Sequence, residues 1–401
     1  MIIDGKRSLA HVEKISWVKP IEGADNIELI GVLGWVCIAK IGEFSQGDLC
    51  VYIEIDSQVP EKEWSEFLRS KKFKIKTMKL GKFNVISQGI ALPIDIFDVE
   101  IPKEEGTDVT ELLEITYSNP DDIRRKSDGS SDDELANQGQ NEIFQSSFGK
   151  WMMKRGWGRD LMYYLFGRPK DTSKRFPDKF EYISKTDQER CENMPNILED
   201  KTPFIRTQKC DGSSATYILE KVKSSFGRDD YEFYVCSRNI RVFPPSDDPL
   251  VRNDNYYWEM AEEYGIEEKL EDYLKNNEDC EYVCWQGEIC GPKIQGNPQK
   301  LAENHLFCFH MIDSVNGVFD IRDAKKVWDM YDMESVPIET MTYILPDDFE
   351  EFKQTADGCY DSRVCEGQRD CAREGWVYYK TTEPDFSFKN VSRKYLLKKG
   401  E

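Results

Sequence analysis

The chain has 401 residues, and 54 Lys and Arg against 75 Asp and Glu give it a formal net charge of −21. A hydrophobic content of 39% with 12% aromatic residues is too high for a disordered chain and too low for a membrane protein. The excess of acid argues against a protein that coats nucleic acid by bulk attraction, so any such partner must meet a local basic patch.

No apolar run is long enough to cross a bilayer, and the first residues lack the apolar core of a secretory signal. Twelve Cys without a dense regular framework fit a compartment where thiols stay reduced. These features predict an intracellular protein with no membrane partner.

Residues 1–112 are expected to form short strands separated by turns, with strands near 11–15, 27–32, 36–39 and 48–53. Strands of this length and spacing are typical of a small β-barrel.

Two further regions follow the predicted barrel. Residues 113–146 contain too few apolar side chains to bury a core, which predicts an acidic and polar linker that is flexible. Residues 147–401 form the predicted larger domain, in which strands alternate with amphipathic helices near 255–274 and 322–331.

The most informative segment runs from Phe204 to Tyr217. In an extended strand Lys209 and Asp211 point to the same side, and Gly212 can open a turn. A lysine is a covalent nucleophile when a nearby cation or desolvation lowers its pKa, and a carboxylate such as Asp211 can hold that cation. On this segment alone, a surface hairpin turn remains the simpler interpretation.

Three later strand-like segments supply matching chemistry. Gln286 and Glu288 share one strand face, and Glu374 and Lys380 share another by even spacing. Lys389 ends the series. These positions predict that carboxylates and amines converge around Lys209.

Taken in order, the segments resemble the covalent nucleotidyltransferases, the superfamily of ATP-dependent ligases and mRNA capping enzymes that link a nucleoside monophosphate to lysine. The resemblance covers nearly the whole chain. The matching segments are Lys209–Gly212 for motif I, Gln286–Glu288 for motif III, Phe307–Asp313 for motif IIIa, Glu374–Gly375 for motif IV and Phe388–Lys389 for motif V.

Within that superfamily the chain resembles the RNA ligase 2-like branch with an N-terminal OB-fold domain. DNA ligases and capping enzymes usually carry Arg where Ser214 stands, and they place an OB domain after motif V, whereas this sequence ends twelve residues beyond Lys389. Further segments similar to that branch are Phe176–Pro177, 185–190, 236–239 and 287–297. The implied fold is α+β, with an N-terminal OB-like β-barrel and a C-terminal nucleotidyltransferase domain of antiparallel sheets with flanking helices.

The resemblance assigns chemical roles to named residues. Lys209 is expected to attack the α-phosphorus of ATP, with Lys389 and Mg²⁺ or Mn²⁺ meeting the charge on the phosphoryl oxygens. Asp211 and Glu374 are expected to hold the metal, mainly through its waters, and Asp313 is a further candidate.

Glu288 is expected to accept a hydrogen bond from a ribose hydroxyl, and Phe307 or Phe309 to stack on adenine. Lys380 is expected to touch phosphate, and Arg238 the ribose or the RNA end. The full predicted nucleotide-contacting set beyond the catalytic residues is Gln208, Gly212, Arg238, Phe307, Phe309 and Lys380.

The sequence departs from the related ligases at two positions. Ser387 stands where relatives often have the first of two motif V lysines, which leaves the second phosphate contact open. Gln208 stands where relatives often have Glu, which leaves recognition of adenine over guanine open.

A local basic patch lies within residues 69–82, which contain no acid. Its predicted nucleic-acid contacts are Lys72, Lys74, Lys76 and Lys79, with the lysines of 72–76 on one strand face and apolar residues on the other. The alternative is an edge strand that lysines protect from aggregation. A second basic, aromatic stretch spans 150–175.

Cysteine spacing does not match structural zinc sites. Cys359, Cys365 and Cys371 lie in a polar insertion and are expected to be surface thiols, whereas Cys284 and Cys290 are expected to be core residues.

The resulting expectation is an ATP-dependent RNA ligase that joins 3′-OH and 5′-phosphate RNA ends, in nicked duplex, through lysyl-AMP and an adenylylated 5′ end. No obligate protein partner is inferred. Two alternatives stay open: a GTP-dependent capping-type guanylyltransferase, and a non-catalytic OB-fold RNA-binding protein.

Overall fold

The computed structural model describes residues 1–3, 6–117, 176–184, 188–223, 229–238, 240–244, 255–365 and 371–399. Most of the predicted linker 113–146 and the whole of the basic stretch 150–175 lie outside the described residues. The same holds for part of the segment 185–190.

The N-terminal part is built from short strands, as the alternation of apolar and polar residues predicts. The strands are β1 (Ile2–Ile3), β2 (Lys6–Arg7), β3 (Ala10–Pro20), β4 (Ile27–Val32), β5 (Trp35–Lys40), β6 (Leu49–Ile53), β7 (Ser57–Gln58), β8 (Met78–Leu80), β9 (Val85–Ser87), β10 (Ile90–Pro93) and β11 (Thr116–Tyr117).

Five of these strands form one antiparallel sheet in the order β10-β6-β3-β4-β5. The sheet curls so that its β5 edge meets the segment before β10, where Gln88 donates its backbone N–H to Val36 O at 2.9 Å. This curled half-barrel confirms the OB-like prediction. Its core includes Leu113 and Ile115, so the compact region continues past the predicted boundary at residue 112.

The predicted lysine-rich strand is not a strand: Lys72 and Phe73 are turn residues with positive φ, and Lys74 forms an isolated bridge with Gln58. Phe73 and Ile75 are buried while Lys72 and Lys76 are exposed, so the predicted alternation is present. Ile75 donates its N–H to Ser57 O at 2.9 Å, which ties the segment to the barrel. Of the predicted nucleic-acid contacts, three are exposed and the last is half-buried: Lys72, Lys76, Lys79 and Lys74.

The larger domain contains two five-stranded sheets, β12-β21-β20-β13-β19 and β15-β14-β16-β17-β18. All neighbours are antiparallel except β12 and β21, which run parallel, so the first sheet is mixed rather than purely antiparallel. The strands are β12 (Glu189–Arg190), β13 (Phe204–Lys209), β14 (Ser213–Lys223), β15 (Asp229–Ser237), β16 (Tyr282–Cys290), β17 (His305–Asp313), β18 (Gly317–Val318), β19 (Ile338–Tyr343), β20 (Gly375–Lys380) and β21 (Glu383–Val391).

Helices pack against both sheets. The predicted helix 255–274 is broken at Gly265, whose φ of 56° ends one helix and begins the next. No helix in the described ranges is long and apolar enough to cross a membrane. The helices are α1 (Glu181–Ser184), α2 (Tyr256–Glu263), α3 (Ile266–Asn276), α4 (Ile321–Met330), α5 (Phe349–Gln354) and α6 (Arg393–Lys399).

The two domains meet through buried polar groups. Trp35 Nε1 donates to Asn193 Oδ1 at 2.6 Å, and Asn193 Nδ2 donates to Glu54 Oε1 at 2.7 Å. Gly34 donates its N–H to Glu192 O at 2.8 Å. These hydrogen bonds hold the barrel against the loop that follows β12, the edge strand of the sheet that carries Lys209.

Candidate active site

Lys209 is the last residue of β13 and pairs with Gly375, the first residue of β20. This register places Glu374, the residue before β20, beside the lysine, and Lys209 Nζ lies 3.0 Å from Glu374 Oε2. The Lys209 side chain is 22% exposed, so a ligand can reach it. The segment is therefore not the surface hairpin of the simpler interpretation.

The turn after Lys209 joins the two sheets and brings a second strand into the site. Glu288 on β16 lies opposite Ser214 on β14, and Glu288 Oε1 accepts the N–H of Gly212 at 3.0 Å. A Cβ at Gly212 would lie 2.2 Å from Ile289 O, which explains the glycine. Lys209, Glu374 and Glu288 thus converge from three strands, as predicted.

The carboxylates control the charge of the nucleophile. Burial by itself lowers the pKa of Lys209, but Glu374, Glu288 and Asp211 outweigh it and raise that pKa above its ordinary value. Burial raises the pKa of Glu288 to about 7, and Lys209 opposes that shift. Burial also raises the pKa of Glu374. The carboxylates therefore favour the charged form of Lys209, and a positive charge bound near them would favour the free amine.

The donor set fits a hard divalent cation. Asp211, Glu288 and Glu374 all act electrostatically on Lys209, and carboxylate oxygens are the ligands that Mg²⁺ and Mn²⁺ prefer. In the described part of the chain, no three or more His, Cys, Asp or Glu side chains lie close enough to chelate an ion directly. This spacing suits an ion that keeps several of its waters.

Lys389 lies on the same sheet face as Lys209. Thr207, Val377 and Lys389 form one row across β13, β20 and β21, and Thr207 and Lys209 share a strand face by period-two alternation. The Lys389 side chain is buried. The predicted second cation is therefore placed on the lysine's side of the sheet.

Gln208, the residue before Lys209, has a side-chain N–H group without a hydrogen-bond partner within the described residues. Its Oε1 accepts the N–H of Asp361 at 2.8 Å, whereas its buried Nε2 has no hydrogen-bond partner within the described residues. A buried donor without a partner is costly. By period-two alternation, however, the Gln208 side chain lies on the opposite strand face from Lys209, so it is not directed to the lysine's side of the sheet.

The two candidate stacking rings differ in accessibility. Phe307 lies opposite Glu288 and is 2% exposed, with its ring stacked on His305. Phe309 is half-buried and packs against the apolar cluster that contains Phe307. Of the two, Phe309 has more surface to offer a nucleobase.

Arg238 follows the last residue of β15. Ser237 pairs with Ala215, so Arg238 lies at the strand end beside Ser214, the residue opposite Glu288. This position brings Arg238 to the edge of the site.

Two predicted site residues lie elsewhere. Lys380 shares a face with Glu374 but pairs with Phe204 at the far end of β20, about 16 Å from Gly375 at ~3.3 Å per residue. Its Nζ lies 2.6 Å from Glu383 Oε1 and 3.2 Å from Asp200 Oδ2. The predicted contact between Lys380 and phosphate is therefore wrong. Strand parity indicated the correct face of the sheet but not the distance from Lys209.

The prediction that Asp313 is a metal ligand is also wrong. Asp313 ends β17 about 20 Å beyond Phe307 at ~3.3 Å per residue, away from Glu288. Its carboxylate accepts hydrogen bonds from Tyr273 Oη at 2.7 Å and from the backbone of Val315 and Asn316 at 2.9 and 2.6 Å. Asp313 therefore closes the turn after β17.

Three residues that contact Asp211 were not predicted from the sequence. Tyr395 Oη donates to Asp211 Oδ2 at 2.5 Å, Lys399 forms an ion pair with the same oxygen, and Gln299 Nε2 donates to Asp211 O at 3.0 Å. The i, i+4 spacing of Tyr395 and Lys399 indicates a shared helix face. Nothing in the sequence indicates which structure that face contacts.

The cysteine insertion is more buried than predicted. Cys365 and Cys371 are core residues beside Cys210, so the prediction that they are surface thiols is wrong, whereas Cys359 is exposed, as predicted. The insertion folds back on the turn that follows Lys209, because its apolar residues cover the Phe307 side of that turn. Cys284 and Cys290 are buried, as predicted.

Comparison with protein families gives two matches. A model of an OB-fold domain matches residues 9–94, and a model described as RNA ligase matches residues 202–396. A search of curated protein sequences returned no significant match.

Solved structures of Naegleria gruberi RNA ligase match over nearly the whole chain. A mutant without ligand has a TM-score of 0.71 at 28% identity, covering 98% of this chain and 98% of that one. A mutant with ATP and Mn has a TM-score of 0.71 at 27% identity, with 98% of each chain covered. A structure with PPi has a TM-score of 0.70 at 27% identity, covering 98% of this chain and 99% of that one.

The two family models occupy the two domains, and the similarity to the Naegleria enzyme runs through both of them. The chain therefore belongs to the RNA ligases that carry an N-terminal OB-fold domain.

Proposed function

We propose that the protein joins a 3′-OH and a 5′-phosphate RNA end, in nicked duplex, using ATP and Mg²⁺ or Mn²⁺ inside the cell. The observation that carries this proposal is the position of Lys209, partly exposed and enclosed by Glu374, Glu288 and Asp211. The matching Naegleria structures include complexes with ATP and Mn, with AMP and Mn, and with PPi, which supports nucleotide transfer to lysine here.

In the first step Lys209 Nζ, as the free amine, attacks the α-phosphorus of ATP. A P–N bond forms, the bond from the α-phosphorus to the bridging oxygen breaks, and pyrophosphate leaves. A divalent cation bound by Asp211 and Glu374 would supply positive charge that favours the free amine and shields the phosphoryl oxygens. Lys389 adds a fixed positive charge on the same sheet face.

In the second step an oxygen of the RNA 5′-phosphate attacks the lysyl-AMP phosphorus. A P–O bond forms, the P–N bond breaks, and Lys209 regains its amine. In the third step the RNA 3′-OH attacks the 5′-phosphate, the new phosphodiester forms, and AMP leaves as the hydroxyl proton is lost. The pKa of Glu288 near 7 also allows this carboxyl to donate to a ribose hydroxyl while protonated, or to accept from it while ionised.

The barrel supplies the proposed RNA contact. The lysines of the 72–79 segment lie on the outside of the barrel while the apolar residues between them fill its core. Exposed lysines on an OB-like barrel favour a polyanion track despite the acidic net charge of the chain.

The test is labelling with α-³²P ATP and Mn²⁺, using wild type, Lys209→Met and the control Lys325→Met. Lys325 is a half-buried residue of α4, where it forms an ion pair with Asp329, so its loss leaves the site intact. We expect an acid-stable adduct in wild type and in the control, and none in Lys209→Met. A wild-type protein that binds ATP but forms no adduct contradicts the proposal and favours a non-catalytic RNA-binding protein. Preferential labelling by GTP favours a capping-type enzyme.

A further inference from the structure

The last helix, α6, brings two hydrogen-bond donors to one oxygen of Asp211. Tyr395 Oη lies 2.5 Å from Asp211 Oδ2, and the Lys399 ammonium forms an ion pair with the same oxygen. Tyr395 and Lys399 are one helical turn apart and therefore lie on one face. Asp211 is thus neutralised by Lys399, a side chain from outside the five motif segments.

The two donors differ in how firmly they are held. Tyr395 is 5% exposed, and its N–H donates to Ser392 Oγ at 3.1 Å. The N–H of Ser392 in turn donates to Glu374 O at 2.8 Å, which fixes the start of α6 beside the site. Lys399 is at the other end of the helix, 22% exposed, on a flexible four-carbon stem. Lys399 can change rotamer without moving Tyr395.

An ammonium group at Asp211 Oδ2 opposes the binding of a second cation there. Asp211 is one of the two carboxylates proposed to hold the divalent cation, and like charges at contact distance repel strongly in a partly buried site. Lys399 also acts electrostatically on Glu374, the other proposed metal carboxylate. The cation and Lys399 therefore compete for the same negative charge.

The phosphates of ATP offer Lys399 a new partner. Reaction at Lys209 Nζ requires the α-phosphate to lie beside Glu374 and Asp211, which both surround that amine. An ammonium displaced from Asp211 needs only to rotate its stem to meet phosphate oxygens in the same opening. This movement exchanges one ion pair for another and forms or breaks no covalent bond.

We propose that Lys399 is a charge-exchange residue: it neutralises Asp211 in the metal-free enzyme, and leaves Asp211 for the polyphosphate of ATP when a divalent cation binds. This inference rests on the proposed function, since it takes Asp211 as a metal carboxylate. The proposal also assigns a phosphate-contacting cation to the helix that follows motif V. Within motif V itself, Ser387 stands where related ligases often carry a lysine.

The test measures two quantities on Lys399→Met, Lys399→Arg and the control Lys398→Met, which removes an exposed lysine one residue away. The first quantity is Mn²⁺ binding without ATP, followed by the electron paramagnetic resonance signal of free Mn²⁺. We expect Lys399→Met to bind Mn²⁺ about tenfold more tightly, because a competing positive charge is gone. Lys399→Arg and Lys398→Met should bind it as wild type does.

The second quantity is the rate of adduct formation with ATP at saturating Mn²⁺. We expect Lys399→Met to be slowed about tenfold or more, because a charge-assisted contact to phosphate is lost. Lys399→Arg should retain most of the rate. Tighter metal binding together with slower adduct formation is a pair of changes that a loss of structure does not produce.

Unchanged or weaker Mn²⁺ binding in Lys399→Met overturns the proposal, and so does an unchanged rate of adduct formation. If Lys399→Met fails to fold by circular dichroism, Lys399→Gln replaces it with the same expected changes. Failure of the proposed function is distinguishable, because it removes the adduct from wild type while the Mn²⁺ measurement, made without ATP, still reports on Lys399.

Discussion

At the residue scale, the site is a small set of charges whose balance decides when Lys209 can react. Three carboxylates hold the lysine in its charged form, and one of them, Glu288, is itself raised in pKa by burial and by its acidic neighbours. In the proposed reaction, Lys209 would therefore attack only after positive charge arrives with the substrate.

Glu288 provides a test of this balance through protein stability. Its pKa in the folded protein, about 7, lies above the ordinary value of 4.5. The folded state therefore gains stability from the protonated carboxyl below pH 4.5 and loses that gain as the pH rises to about 7. We expect wild type to lose up to about 3 kcal/mol of unfolding free energy relative to Glu288→Gln between pH 4.5 and 7.5.

Urea unfolding across that pH range measures this difference. The control is Glu303→Gln, which removes an exposed carboxyl in the same domain and should leave the pH dependence of wild type unchanged. Parallel stability curves for wild type and Glu288→Gln would show that Glu288 titrates normally in the folded protein.

At the scale of elements, the turn between β13 and β14 is the structure that assembles the site. This turn contains Asp211, and it places the N–H of Gly212 against Glu288. Apolar residues of the cysteine insertion pack against the turn. A side chain at Gly212 would contact Ile289 O at 2.2 Å and Cys290 Sγ at 2.8 Å, so the two strands could not keep their spacing.

Gly212→Ala is expected to lower the unfolding free energy by about 2–4 kcal/mol, because a backbone atom cannot move away as a flexible side chain can. Thermal and urea unfolding measure this loss. Gly81→Ala is the matched control, since a Cβ there meets no atom within 4 Å, and it should be nearly neutral. Equal effects of the two substitutions would contradict the close approach.

Local sequence patterns predicted the strands and the residues that converge, because antiparallel pairing follows from alternation and turn position. Lys209, Glu288 and Glu374 could be predicted in this way, since each lies at or beside a strand end. Lys380 and Asp313 were wrong as site residues, because parity gives a face and says nothing about position along the strand.

The contacts of α6 could not be predicted from the sequence, because local patterns do not indicate which distant residues meet. The bond from Tyr395 to Asp211 joins residues far apart in the chain, and it depends on how a helix packs on a turn. Burial of Cys365 and Cys371 likewise depends on the surface that the insertion covers, which its polar composition does not indicate.

At the scale of the whole molecule, the OB-like barrel and the ligase domain are joined by buried hydrogen bonds and by α6. Leu396 on α6 packs in the barrel core cluster, while Tyr395 beside it contacts Asp211. One short helix thus connects the proposed RNA-binding domain to a proposed metal carboxylate.

The basic segment of the barrel gives a prediction at this scale. Replacing Lys72, Lys74, Lys76 and Lys79 together by Gln should weaken binding to nicked duplex RNA at least tenfold and reduce its salt dependence, because phosphate contacts release counterions. Adduct formation with ATP should stay unchanged, since these lysines lie in the other domain. Fluorescence anisotropy over a salt series measures the first effect and α-³²P labelling the second.

The control for that variant is Lys325→Gln with Lys326→Gln on α4, which removes one half-buried and one exposed lysine from the ligase domain. Unaltered RNA affinity in the four-lysine variant would instead support the alternative that these lysines only protect the barrel edge from aggregation.

The central claim is that AMP becomes attached to Lys209, and peptide mass mapping of the protein after incubation with ATP and Mn²⁺ tests it most directly. We predict that the added mass of one AMP is found on the peptide that contains Lys209 and is removed by added pyrophosphate. AMP attached at any other residue, or none attached to a protein that binds ATP, would contradict this account.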